Sequence, residues 1–215
     1  MASSVTTEDS RAIADGSDGG IISPASGGGP RGGGSPAMPA HVYMTGLLVA
    51  LCGIGMFFVA LVSAYVVREG LGQSDWRALH LPPVLWLNTA ILLASSGTLF
   101  MARRRQTHDD AQGFRYWWRV TAALGALFLA GQLVAWAQMV RGGLYLSTSA
   151  SAGFFYVFSA AHGMHLLGGL AILIGLAFRA PKRMSEATAA RVTAVYWHFL
   201  SGLWVMLLLF LVFQR

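Results

Sequence analysis

Apolar residues run along the chain in five long blocks, at roughly 43–67, 83–102, 120–140, 153–178 and 192–213. About 20 residues at about 1.5 Å per residue cross the roughly 30 Å hydrocarbon core of a bilayer, so each block is long enough to span it. In lipid the backbone must satisfy its own hydrogen bonds, and continuously apolar runs of this length therefore predict helices. The pattern predicts an all-α protein: an integral membrane bundle of five transmembrane helices occupying residues 41–215. The connections REGLGQSDWRALHLPP, RRRQTHDDAQGFRYWWR, RGGLYLSTSAS and RAPKRMSEATAAR are short and polar. Trp76, Trp86, Trp117, Trp118 and Tyr145 cluster near the block ends, where interfacial aromatic belts belong.

Residues 1–40 have a different character. They hold nine of the 26 glycines, four of the seven prolines and no aromatic residue. Such a segment buries too little apolar surface to offset the entropy of ordering, so it is read as a disordered Gly/Pro-rich tail. It lacks the apolar core of a signal peptide, and cleavage and export are not expected. No internal repeat is evident, which argues against carriers built from repeated halves.

Composition supports the membrane reading, with 55 % hydrophobic and 11 % charged residues against about 25 % charged in an ordinary soluble domain. The formal charge of +6 does not point to nucleic acid, because most of the basic residues sit in two connections, where they set topology. Eleven Lys and Arg fall in the tail and in the second and fourth connections, and four on the opposite side. The N-terminus is accordingly placed in the cytoplasm and the C-terminus outside. Cys52 is the single cysteine and excludes an intrachain disulfide.

All nine acidic residues lie outside the five blocks. Proton relays, ion sites and metal-assisted hydrolysis in membranes normally need buried carboxylates, so an autonomous pump or an intramembrane protease is disfavoured. The buried polar set reduces to His162 and His165 in the fourth block, His198 in the fifth, Gln132 in the third, Asn88 in the second, and scattered Ser and Thr. At helical spacing Phe158, His162, His165 and Gly169 form one stripe, flanked by Ala161 and Gly168. That surface suits another helix better than lipid. Ala194, His198, Ser201 and Val205 form a matching stripe. Two readings stay open at this point. The histidines could bind copper or zinc, or share a haem between His162 and His198 as in a small b-type cytochrome. Alternatively they are neutral rings hydrogen-bonded across the fourth and fifth helices. Gln132 and Trp136 share a face of the third helix, and a buried amide there requires a partner on a neighbouring helix. Pro82 and Pro83 open the second helix. No GxGxxG, P-loop, CxxC or HExxH motif is present, and nothing resembles a complete active site.

Five stretches resemble subunit III of the haem-copper terminal oxidases, in its short five-helix bacterial form. FFYVFSAAHGMHLLGGL (154–170) is similar to the family's FFxxxGxHGxHxxxG helix, and AVYWHFLSGLWVMLLLFLV (194–212) to its final YWHFVDxxWxxLF helix. LPPVLWLNTAILLASSGTL (81–99) resembles PPxxxLNTxxLLxSSxT, and GMFFVALVSAYVVREG (55–70) the helix that opens the five-helix core. FLAGQLVAWAQM (128–139) is similar to the Gln-bearing helix between. The resemblance implies a subunit without haem or copper of its own, packed on the catalytic subunit I that reduces O₂ to water and holds those cofactors. Subunit II and a small subunit IV are further implied partners, in a bacterial inner membrane. The implied work is stabilisation of the catalytic subunit, phospholipid binding and support of proton uptake. His162, His165, Gly169, Tyr196, Trp197, His198, Gln132 and Trp136 would be structural or lipid-contacting. Gly169→Leu would then weaken association with the catalytic subunit. Quinol oxidases and nitric oxide reductase systems carry similar subunits, so the electron donor stays open. Ile54 and Ser201 stand where the family often has a glutamate and an aspartate, which puts the roles of those carboxylates in doubt here.

Overall fold

The computed structural model describes residues 39–71, 82–145, 149–178 and 185–213. Apart from its last two residues, the tail predicted over 1–40 lies outside them. The described chain is five helices: α1 (Ala40–Gly70), α2 (Val84–Thr107), α3 (Ala111–Arg141), α4 (Ala150–Phe178) and α5 (Glu186–Phe213). All five are long and apolar enough to cross a membrane.

Four helices close a ring. α2 packs on α3, α3 on α4, α4 on α5, and α5 back on α2, while α1 touches only α4 and α5 among the described residues. Ring neighbours run antiparallel: Asn88 faces Gln132 at one end of the α2–α3 pair and Thr98 faces Thr121 at the other. The outlying helix runs parallel to α5, with Gly55 beside Phe199 and Tyr65 beside Phe210.

The helices start and stop where local chemistry says they should, which is beyond the apolar blocks. Asp110 caps α3 by accepting a hydrogen bond from the Gly113 N–H at 2.8 Å. Ser149 Oγ receives the Ala152 N–H at 3.2 Å, and Ser185 Oγ the Thr188 N–H at 3.2 Å. These are short oxygen-bearing side chains satisfying orphan amides at a helix start. Consequently α3 begins at Ala111 rather than near 120, and the basic, aromatic stretch FRYWWR is helical. Hydropathy marks where lipid ends, and the helix continues past it.

The ring is filled by tryptophan. Trp197 is fully buried, with its indole edge over Gly125 of α3 and Gly169 of α4. A Cβ at Gly125 would stand 2.6 Å from Trp197 Cη2, so only glycine lets the indole seat there. Trp118 also departs from the belt expectation: it is buried and donates its indole N–H to the Leu173 carbonyl at 2.8 Å.

Candidate functional site

Three tryptophans tie the ring together by the same chemistry. Trp197 Nε1 donates to Ser95 Oγ at 3.0 Å, Trp204 Nε1 to Thr89 Oγ1 at 3.0 Å, and Trp136 Nε1 to Ser159 Oγ at 3.0 Å. Each hydroxyl in turn donates to a carbonyl of its own helix, Leu92, Leu85 and Phe155 respectively. A Ser or Thr in an apolar helix can spend its proton locally and still offer a lone pair to a neighbour. These three bonds fasten α5 to α2 twice and α3 to α4 once, beside the Trp118 bond to the Leu173 carbonyl that also joins α3 to α4.

Between these ties lies one polar layer with a member from each ring helix. Asn88 of α2 donates through Nδ2 to the Phe128 carbonyl at 3.0 Å and to Gln132 Oε1 at 3.4 Å. Its Oδ1 lies against Gly131, where a Cβ would collide with it. The α3–α4 register is fixed by Trp136 opposite Ser159, Phe128 against His162 and Gly125 beside Leu170. That register brings Gln132 and His162 to one level. His162 is 0 % exposed and Gln132 4 %. The His162 ring stacks on Trp204 with centroids 5.0 Å apart and meets Phe128 edge-on at 6.0 Å.

The other histidines have different surroundings. His165 sits at the α1 side, near Phe57 and Phe58, and its Nδ1 pairs with its own helix at the Ala161 carbonyl, 2.7 Å away. The α5-to-α4 bond at this point comes instead from Tyr196, whose hydroxyl donates to the His165 carbonyl at 2.9 Å. His198 is exposed and its Nδ1 pairs with Ser96 Oγ of α2. The reading of neutral histidines hydrogen-bonded across α4 and α5 is therefore corrected: His165 bonds its own helix, His198 bonds α2, and each ring has a separate environment. A haem shared by His162 and His198 is not assembled by this geometry, since the His162 imidazole lies inside the bundle and the His198 imidazole outside it, against α2, which does not touch α4 among the described residues. No three His, Cys, Asp or Glu side chains converge among the described residues.

Gly169 packs inside the chain against Tyr196 and Trp197, with a Cβ there placed 2.9 Å from Tyr196 Cε1. Gly169→Leu would thus disturb α4–α5 packing within this chain rather than an outer face. Ser201 is buried and donates to the Trp197 carbonyl at 2.9 Å, and Ile54 is half-buried against the core. Both departures from the family pattern are satisfied without a carboxylate.

Asn88 stood in the sequence's polar set, but the residues that complete its layer, Thr89 and Trp204, were not singled out. The signal available was the spacing of hydroxyls on α2 (Thr89 and Ser95, six apart) against tryptophans on α5 (Trp197 and Trp204, seven apart), about two turns on each of two antiparallel helices.

The family profile for cytochrome c oxidase subunit III matches residues 43–214. The chain is 33 % identical over 185 residues to a probable cytochrome c oxidase subunit 3 of Nocardia farcinica, covering 81 % of this chain and 89 % of that one. It is 31 % identical over 174 residues to cytochrome c oxidase subunit 3 of Thermostichus vulcanus, covering 75 % and 82 %. A third relative, cytochrome c oxidase subunit 3 of Corynebacterium diphtheriae, is 31 % identical over 173 residues, covering 77 % and 84 %. With its five spans and its match across nearly all of them, this multi-pass membrane protein belongs to the cytochrome c oxidase subunit III family.

Proposed function

We propose that the chain is a non-catalytic subunit of a bacterial aerobic respiratory oxidase. In this reading it packs on a haem- and copper-bearing subunit I, with subunit II and a small subunit IV nearby, in the cytoplasmic membrane. It stabilises the catalytic subunit, retains phospholipid and helps sustain proton uptake during the four-electron reduction of O₂ to water. The N-terminus lies in the cytoplasm and the C-terminus outside, by the excess of Lys and Arg in the connections after α2 and α4.

The family match carries the reading, and the interior chemistry supports it. Among the described residues, the polar groups inside the ring are amides, hydroxyls, indoles and one imidazole, with no carboxylate among them. Such groups position helices; they do not form a chain of titrating sites for a proton path. The candidate residues divide accordingly. His162, Gln132, Trp136, Trp197 and Gly169 serve packing within the chain, Tyr196 and His165 link α4 to α5, and His198 is the one that faces outward for lipid or a partner helix.

The test is affinity purification of the tagged chain in mild detergent, with a reduced-minus-oxidised spectrum and identification of what accompanies it. Haem absorbance travelling with a large multi-helix partner, and lost when this chain is stripped away, is the expected result. The accompanying subunits then reveal whether cytochrome c or quinol donates the electrons. Haem retained by the isolated chain would overturn the proposal in favour of a small cytochrome.

A further inference from the structure

The layer formed by Asn88, Gln132, His162 and Trp204 contains more hydrogen-bonding capacity than its side chains use. Asn88 Oδ1, Gln132 Nε2 and both ring nitrogens of His162 are buried and have no hydrogen-bond partner among the described residues. His165, three residues on, bonds its own helix; His162 does not, because its ring is turned into the bundle to stack on Trp204. Exchanging the ends of the Asn88 amide does not remove the deficit, since it would set an oxygen against the Phe128 carbonyl. Exchanging the ends of Gln132 would set two N–H groups face to face.

With no carboxylate in the layer an imidazolium would be a lone buried charge. The neutral ring then offers one N–H donor and one acceptor. Gln132 Nε2, at the same level on the facing helix, offers a donor. The unmet set is thus a mixture of donors and acceptors on α2, α3 and α4. Water supplies two of each and is the usual satisfier of such sites. A lipid or a partner's side chain cannot serve, because the layer is enclosed by all four ring helices. A metal ion would find a single imidazole and neutral amides, with no anionic ligand to offset its charge.

We propose that this layer is a hydration site, in which ordered water bridges the His162 ring to the Gln132 amide and completes the polar belt that Asn88 and Trp204 continue. The site does not depend on which oxidase the chain serves. Its test can be run on the full chain as purified, alone or in its complex, so its failure is separate from failure of the proposed function.

Two measurements decide it. The first is a structure at a resolution that shows other interior waters. Density about 2.7–3.2 Å from both a His162 ring nitrogen and Gln132 Nε2 is expected. A direct Gln132–His162 hydrogen bond with no density between them would overturn the proposal, as would density for a larger molecule. The second is solid-state NMR of ¹⁵N-histidine-labelled chain, with polarisation transferred from water. The His162 ring signal, assigned by its loss in His162→Phe, is expected to receive that transfer and to lose it in Gln132→Leu. Where His162→Phe fails to assemble, the Gln132→Leu spectrum alone identifies the signal by its change. A His162 signal without transfer in the native chain would overturn the site.

Discussion

At the scale of single residues, the interior is governed by what fits around Trp197. The indole is pinned by its bond to Ser95 and lies over two glycines from different helices. A methyl group at Gly125 would stand 2.6 and 2.8 Å from two ring carbons, whereas one at Gly169 meets the half-buried Tyr196 ring at 2.9 Å. Overpacking of a core typically costs about 1–3 kcal/mol. Gly125→Ala should fall at the upper end, because a hydrogen-bonded indole cannot retreat. Gly169→Ala should fall lower, because its contacts are longer and the Tyr196 ring, although tied by its hydroxyl to the His165 carbonyl, is only half-buried. Thermal unfolding of the two variants in detergent checks the order; a larger loss for Gly169→Ala would refute this account of the wedge. Much of this was legible from sequence, since glycine in a membrane helix signals close approach. What sequence could not say is which ring fills the gap. His198 shows the same limit. It was grouped with Ser201, yet at 100° per residue the two are about 60° apart around the helix. That angle is enough to put Ser201 inside the ring and His198 outside it.

At the scale of elements, the α2–α3 hairpin turns in very few residues by stacking two capping devices. Asp109 takes the left-handed conformation, φ 55°, while the Asp110 N–H bonds the Arg105 carbonyl and the Asp109 N–H bonds the Gln106 carbonyl. This is a Schellman ending with aspartate where glycine is usual, and the next residue is at once the N-cap of α3. The same ending recurs after α3 with Gly143 in that position, φ 78°. Asp109→Gly should therefore be neutral to stabilising, and Asp109→Val should destabilise by about 1–3 kcal/mol, read from thermal unfolding. Asp110 adds a pH dependence. The Gly113 N–H, and after it Arg105, hold its carboxyl below the ordinary range. A lowered folded-state pKa gives stability that is complete above the unfolded value of about 4 and lost as pH falls through the lower folded value. Protection of the amides at the start of α3, measured against their intrinsic exchange rates at each pH, should fall as the medium is acidified, and Asp110→Asn should flatten that response. An unchanged pH response in Asp110→Asn would remove Asp110 from the account. The connection RRRQTHDDAQGFRYWWR between the second and third apolar blocks is mostly helical, because hydropathy ignores charged helical turns, and the Asp pair within it carries the turn chemistry.

At the scale of the whole bundle, the described residues form a closed four-helix ring with one helix leaning on it. The ring is held by directional bonds among buried groups, and these outweigh generic apolarity where lipid competes equally for apolar surface. α1 buries Leu51, Phe58 and Tyr65 and leaves most of its length exposed. Aromatic contacts anchor it: Tyr65 meets Phe154 at 5.4 Å, Phe158 at 6.3 Å and Phe210 at 5.0 Å. Each such pair contributes about 0.5–1.5 kcal/mol beyond its area, and all three are lost together on truncation. Cys52 is the single cysteine and lies exposed on this helix, so a nitroxide placed there reports α1 without further engineering. Tyr65→Ala should sharpen the Cys52 spectrum, showing a looser α1, while the tryptophan-tied ring keeps its thermal stability. Trp204→Phe should do the reverse, because it cuts the bond to Thr89 inside the ring and leaves the α1 contacts intact. If Tyr65→Ala instead unfolded the chain as a unit, α1 would be an integral wall of the bundle, and the division into a ring and a leaning helix would fail.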